Sequence, residues 1–364
     1  MTELMQASRQ WATRPADERF LSLLAMRDAM YAIRSTSRAV VVPSRKLTAL
    51  PTDSDHRGLA IAGPNGRPYA PTNWAFGQLC SRVKAPAGYL RTLPAELACD
   101  NLNYGLQIRG MDEDAGDVGC LIQANGEHIM RAATGPTYGR IWNLDVVDAL
   151  ISRFGDGVTG MFRVPGEFGR QVTVTKENTT LYASDRDMFV FLADEENRVE
   201  VPNRRDGRSG SLARGFFVKN SEVGNGCLEL MFFLFDYACC NRIVWGAQDV
   251  KTFKIRHTSG APERFVEEAA PIINSFTLSS SRAVTQAIED ARAKRLEDKT
   301  QTFLAQRFGK GLVDKIMAVH QLEENRPIET AWDAVVGATA YARSLSHIDA
   351  RLAIEEAAGN ILTA

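Results

Sequence analysis

The stretch ARGFFVKNSEVGNGCLELMFFLF, residues 213–235, decides the fold class. Its flanks, ARGFFVKN at 213–220 and CLELMFFLF at 227–235, are short, Pro-free and rich in aromatic and aliphatic side chains, which is strand composition. Between them, Asn220-Ser221-Glu222-Val223-Gly224-Asn225-Gly226 is dominated by residues that tolerate tight turns. Strand, turn and strand in close succession predict an antiparallel pair. Runs of the same kind surround it: TTLYAS at 179–184, DMFVFLAD at 187–194 and VKTFKIRH at 250–257. NRRDGRSGS at 203–211, rich in Arg, Gly and Ser, reads as a mobile surface loop.

Toward the N-terminus, strands are expected at about 118–124 and 127–132, joined through the hairpin signal Asn125-Gly126, and at AVVVPS 39–44 and GLAIAG 58–63. Apolar residues at helical spacing predict helices over about 17–36, 74–83, 94–106 and 144–154, the first started by Asp17 and Glu18. Beyond about residue 262 strand signals nearly vanish. Residues 281–308 read as one long charged helix, and three more helices follow. The expected class is α+β: a mixed, mostly antiparallel sheet body with flanking helices, followed by a helical C-terminal region. The expected divisions are an N-terminal helix over 1–37, the α+β body over 38–260 and the helical region over 261–364.

Composition excludes several classes. With 364 residues, 45% hydrophobic and 24% charged, the chain is neither fibrous nor low-complexity. Apolar runs such as MFFLF at 231–235 are far shorter than the roughly 20 residues a bilayer-crossing helix needs. The first 20 residues contain no apolar core, so no secretory signal is expected. Six cysteines without a Cys-x-x-Cys pair read as reduced thiols of a cytoplasmic protein. No phosphate-binding loop, dinucleotide fingerprint or metalloprotease motif occurs, so no cofactor and no metal are expected.

The net charge of −1 hides two basic segments. Residues 31–110 carry ten bases against four acids, and residues 198–256 carry ten against six. Aromatics interleave with the bases: Tyr69, Trp74, Phe76, Tyr89 and Tyr104 lie among Arg67, Arg82, Lys84 and Arg91, and Phe216 and Phe217 follow Arg214. Guanidinium and ammonium groups on phosphates, with rings stacked on bases, hold single strands without sequence preference. The candidate nucleic-acid-binding residues are Arg67, Arg82, Lys84, Arg91, Arg204, Arg205, Arg208, Arg214, Lys251, Lys254 and Arg256. Solvated surface and core packing are the alternative readings of the same residues.

A second chemistry is possible in principle. Glu222, Cys239, Asn241 and His257 have the residue types of a small polar catalytic site. A nucleophilic cysteine needs a nearby base and a depressed thiol pKa, and His257 is a candidate base. A buried cysteine and a satisfied polar network account for the same residues without catalysis.

YASDRDMFVFLAD at 182–194, GFFVKNSEVGNGCLELMFFLFDYACCNRIVWG at 215–246 and KIRHTSG at 254–260 resemble the phage/plasmid-like family catalogued as domain of unknown function 932. PTYGRIWNLDVV at 136–147 and the terminal WDAVVGATAYARSLSHIDARLAIEEAAGNIL fit it too. Where that family usually reads Cys-Thr-Asn-Gly, this chain has Cys239-Cys240-Asn241-Arg242, which removes the Gly's access to left-handed backbone angles. The resemblance implies a cytoplasmic protein of a bacterial host, encoded by a phage, plasmid or other mobile element. The function expected on these grounds is DNA metabolism: binding, and annealing, of single-stranded DNA without ATP hydrolysis. A host-interaction or anti-defence protein acting through protein–protein binding is one alternative, and an enzyme with the Cys/His/Glu site is another. The expected partners are single-stranded nucleic acid, a host or phage protein and further copies of the chain, with no membrane.

Overall fold

The computed structural model describes residues 15–52, 58–109, 116–165, 173–204, 208–236, 241–243, 252–269, 271–273, 281–345 and 348–362. At its centre, strand Arg208–Asn220 pairs antiparallel with Leu228–Asp236, setting Gly215 opposite Phe233 and Lys219 opposite Glu229. Arg208–Asn220 also pairs antiparallel with Met188–Asp194. Around these three, the sheet reaches nine strands among the described residues, all antiparallel. Side chains alternate between faces with period two. Val190, Leu192, Phe216, Val218, Leu230 and Phe232 enter one core with Leu23, Met26, Val147, Leu150 and Phe154 from helices Leu23–Thr36 and Asn143–Phe154. Phe189, Phe191, Phe217, Met231 and Phe233 form a second buried cluster. Burial on both faces is why MFFLF runs apolar without alternation. Each buried Phe or Leu contributes about 1.5–3 kcal/mol.

A second sheet of six strands runs Ser37–Pro43, Asp117–Ala124, His128–Thr134, Pro68–Pro71, Leu59–Ala62 and Thr48–Pro51. Its pairs are antiparallel except Pro68–Pro71 with His128–Thr134. Helices Asn73–Arg82 and Ala95–Arg109 share a core with it around Leu79, Cys80, Cys99, Leu102 and Cys120. Burial pushes the thiols of Cys80, Cys99 and Cys120 up to about 11, so they stay protonated at neutral pH.

The fold class is as expected: mostly antiparallel sheets with flanking helices, then a helical region built around Trp332. Three local expectations are corrected. The first helix starts at Leu23, because Ser22 caps it by accepting the Ala25 amide at 3.1 Å. The preceding Arg19 and Phe20 pair with Tyr182 and Leu181 instead. Residues 281–308 form two helices, Ser281–Ala293 and Thr300–Phe308. The break occurs where Arg295 bridges to Thr330 and the Leu296 amide donates to the Glu329 carbonyl at 2.8 Å. Finally, the described residues of 203–211 lie in paired strands, since Glu200 and Val201 pair with Ser211 and Gly210, and Arg204 with Arg208. Among the described residues no helix is long and apolar enough to cross a membrane.

Candidate functional site

The turn Asn220–Gly226 reaches from the nine-stranded sheet onto the six-stranded one. Trp74 Nε1 and Gln78 Nε2 both donate to the Val223 carbonyl, at 3.0 and 2.7 Å, and Gln78 Oε1 accepts the Ala133 amide at 2.9 Å. Ser221 Oγ donates to the Arg186 carbonyl at 2.6 Å and accepts the Asn225 amide at 2.9 Å. Gly224 has φ 85, and a Cβ there would meet Gln78 Nε2 at 3.2 Å and Thr134 Cγ2 at 3.3 Å. A glycine is required on both counts.

Glu222 is 3% exposed. One carboxylate oxygen accepts the Asn143 amide at 2.8 Å, and the other lies 2.9 Å from Arg131 Nη2. Asn220, fully buried, donates to the Ile141 carbonyl and to Asn143 Oδ1 at 2.9 and 2.8 Å. The segment Tyr138–Asn143 is thus moulded onto the turn, and Tyr138 adds a hydrogen bond from its hydroxyl to the Ser221 carbonyl at 2.8 Å.

A continuous chain of rings and cations runs along this segment. The Arg34 guanidinium lies 3.9 Å from the Trp142 ring centre. Arg140 lies 5.8 Å from the same ring and 5.1 Å from Tyr138. Tyr138 stacks on His257 with centroids 4.9 Å apart. The exposed Arg186 lies 5.9 Å from Trp74, whose indole holds the turn. His257 is tied to Gly139 twice: its carbonyl accepts the Gly139 amide at 3.2 Å, and Nδ1 is 3.0 Å from the Gly139 carbonyl. A carbonyl can only accept, so Nδ1 carries the proton and Nε2 is the free ring nitrogen. Burial pushes the His257 pKa down and that of Tyr138 up. Burial also lowers the Arg140 guanidinium to about 10, which leaves it charged at neutral pH.

The candidates from sequence fall in different places. Lys254 and Arg256 are exposed on or just after strand Thr252–Ile255, whose Ile255 is opposite Leu228 at the start of Leu228–Asp236 and so near the turn. Lys254 is paired with Glu229 at 2.9 Å. Arg91, 5.0 Å from the Phe76 ring, bonds Asn73 beside Trp74. Arg67 and Lys84 are exposed on the six-stranded side, while Arg82 is half-buried, with its pKa lowered by burial. Arg204 and Arg208 face each other across the hairpin at the other end of strand Arg208–Asn220. Thirteen residues of strand separate them from the turn by about 40 Å at roughly 3.3 Å per residue. Arg214 is 6% exposed and bonded to Asp194 at 2.7 Å, so it is committed inside the protein. Arg205, Lys251 and Cys239 lie outside the described residues.

Glu222, Asn241 and His257 do not form one site. Asn241 is opposite Asp236 and Ile255 is opposite Leu228, at the two ends of one strand. That places Asn241 about 25 Å from the His257 end. Glu222 is held by Arg131 and a backbone amide, which is a structural role.

Arg131 and Arg140 escape the sequence reading because they lie between the two basic segments, where local charge is unremarkable. The signal was the alternation Tyr138-x-Arg140-x-Trp142, which puts two rings and a cation on one side of an extended segment.

A family model described as Domain of unknown function (DUF932) matches residues 169–350, half of the chain, and so includes the turn and His257 but not Arg140. No curated protein and no solved structure matches the chain.

Proposed function

The chain belongs to the family described as Domain of unknown function (DUF932), and from that premise we propose that it is a mobile-element DNA-metabolism protein that binds single-stranded DNA across the junction of its two sheets. The observation that carries this reading is the linked series Arg34, Trp142, Arg140, Tyr138 and His257. Guanidinium edges take phosphates, and half-buried rings offer faces to bases. Arg186, Lys254 and Arg256 extend positive charge onto the surface around the turn. Three guanidiniums, of Arg34, Arg131 and Arg140, gather around the carboxylates of Glu222 and Asp145. An excess of positive charge beside aromatic rings suits a polyanion that carries its own π-faces.

The test is fluorescence anisotropy of a labelled single strand at about 50 and 200 mM salt, with duplex competitor. Affinity that falls steeply with salt and prefers single strands is expected. In Arg186→Ala the slope of log affinity against log salt should shrink by about 0.7, the value of one single-strand phosphate contact. No binding at the lower salt would remove the reading.

Self-association has one observation in its favour. Leu97, Tyr104 and Ile108 are 51, 73 and 50% exposed on helix Ala95–Arg109. Their spacing of seven and four residues puts them along one face. Light scattering of Tyr104→Glu against the unaltered chain tests it, and equal masses would exclude this face.

A further inference from the structure

We propose that Arg140 is the anchor of a phosphomonoester site, which takes a phosphate group ending a chain rather than one within it. The inference rests on the nucleic-acid reading above and names the part of the ligand that this corner of the site takes. Arg140 is 9% exposed, and its Nε and Nη1 are buried with no hydrogen-bond partner. A buried guanidinium without an acceptor is costly, and native proteins rarely keep one unless something else supplies the acceptor. Its charge persists, because burial brings its pKa only to about 10.

Among the described residues, Glu222 acts on it through charge without bonding Nε or Nη1. Glu222 spends one oxygen on the Asn143 amide and sets the other against Arg131. The rings of Tyr138 and Trp142 lie near the guanidinium at 5.1 and 5.8 Å, and ring faces leave its Nε and Nη1 donors unanswered. In that arrangement Arg recognises an oxyanion through parallel N–H donors. Arg34, against Trp142, adds a second positive charge within the same series. His257 Nε2 is also buried without a partner and lies one ring away, across Tyr138.

A monoester fits better than a diester for two reasons. First, Arg140 is enclosed: it is 9% exposed, with Nε and Nη1 buried. A strand threading past Arg140 would need two openings, whereas a terminal phosphate needs one. Second, a monoester carries about −1.5 to −2 charge near neutral pH, against −1 for a diester, which matches more than one guanidinium. A strand end and a free mononucleotide share this chemistry.

The experiment compares full-length protein with strands that differ only in carrying a 5′-phosphate, a 3′-phosphate or hydroxyl ends. Unfolding midpoints are measured alongside, with inorganic phosphate or a nucleoside monophosphate at matched ionic strength. We expect one phosphorylated end to bind at least about tenfold tighter than hydroxyl ends, the worth of one charge-assisted contact. Arg140→Gln should abolish the preference, and circular dichroism checks its fold. Arg34→Gln, at a half-buried position, should reduce the preference if Arg140→Gln fails to fold. Equal binding of all three strands with the usual salt slope, and no response to phosphate, would overturn the phosphomonoester site while leaving strand binding intact. If no strand binds but phosphate or the mononucleotide stabilises the protein through Arg140, the site stands and strand binding falls.

Discussion

Glu222 and Arg131 form an ion pair across the junction of the two sheets, 2.9 Å from oxygen to nitrogen, with 3 and 5% of their side chains exposed. Arg131 belongs to strand His128–Thr134 of the smaller sheet, and Glu222 to the turn that leaves the larger one. The pair therefore holds the two sheets in register where the proposed binding surface crosses them. Removing one partner strands a buried charge. Glu222→Ala should cost about 3–5 kcal/mol, measured by urea unfolding. Adding Arg131→Met to Glu222→Ala should recover much of that loss, because it takes away the orphaned cation. A loss below about 1 kcal/mol for Glu222→Ala would mean the pair does not fasten the sheets.

The two basic ends of the large sheet make separate predictions. Arg204 and Arg208 sit at the hairpin end of strand Arg208–Asn220, and Lys254 and Arg256 near the turn end. A short oligonucleotide can touch only one of them. Arg204→Ala with Arg208→Ala should leave the affinity for a short strand unchanged if it binds at the turn. For a long strand the same change should flatten the salt slope by about 1.4, or two contacts. An equal loss on both strands would put the principal site at the hairpin instead.

Much of this architecture was legible in the sequence, and the reasons are local. The 213–235 pair shows itself because its strands are buried on both faces and its turn residues have few other uses. Arg214 misled as a surface base because its partner, Asp194, lies twenty residues earlier, on the neighbouring strand. The joint at Arg295–Leu296 was invisible for the same kind of reason. Helical propensity runs through it, and the competing bonds come from Glu329 and Thr330. Arg140 escapes a sequence reading because its meaning lies in a missing partner, and only the folded chain reveals that its Nε and Nη1 are unpaired.

Acid should weaken the helical region through His320. Its side chain is fully buried, with Nδ1 3.0 Å from the Arg326 carbonyl and Nε2 3.9 Å from Asp333. Glu324 also faces it, and burial outweighs both acids, lowering its pKa. The unfolded chain therefore binds a proton more readily than the folded one. Stability from this group is complete above the unfolded value of about 6.5 and is lost as pH falls through it, at up to about 1.4 kcal/mol per unit. His257 shifts in the same direction for the same reason. Urea midpoints at pH 8, 6.5 and 5.5 should fall in that order, with a shallower fall in His320→Gln. Asp333 adds a loss at lower pH. Burial opposes its ionisation, but hydrogen bonds from Arg326 and Thr330 outweigh that and hold it below the usual carboxylate range. A midpoint flat from pH 8 to 5.5 would contradict the buried neutral state of both histidines.

The tightest steric demand at the junction falls on Gly139. A Cβ there would lie 1.7 Å from the Thr258 carbonyl oxygen and 3.1 Å from that of Ser259, both backbone atoms that cannot swing aside. Its amide and carbonyl are also both bonded to His257. Gly139→Ala must push the Tyr138–Trp142 segment away from His257, breaking those bonds and the Tyr138–His257 stack together. The expected cost is about 3 kcal/mol or more, at the upper end for overpacking. Gly260→Ala is the control, since a Cβ at that nearby position meets nothing within 4 Å. It should be neutral to within about 0.5 kcal/mol. Equal stability of the two variants would mean that the 139 and 258 backbones do not touch in solution. The Tyr138–Trp142 segment that carries Arg140 would then not be fixed against His257.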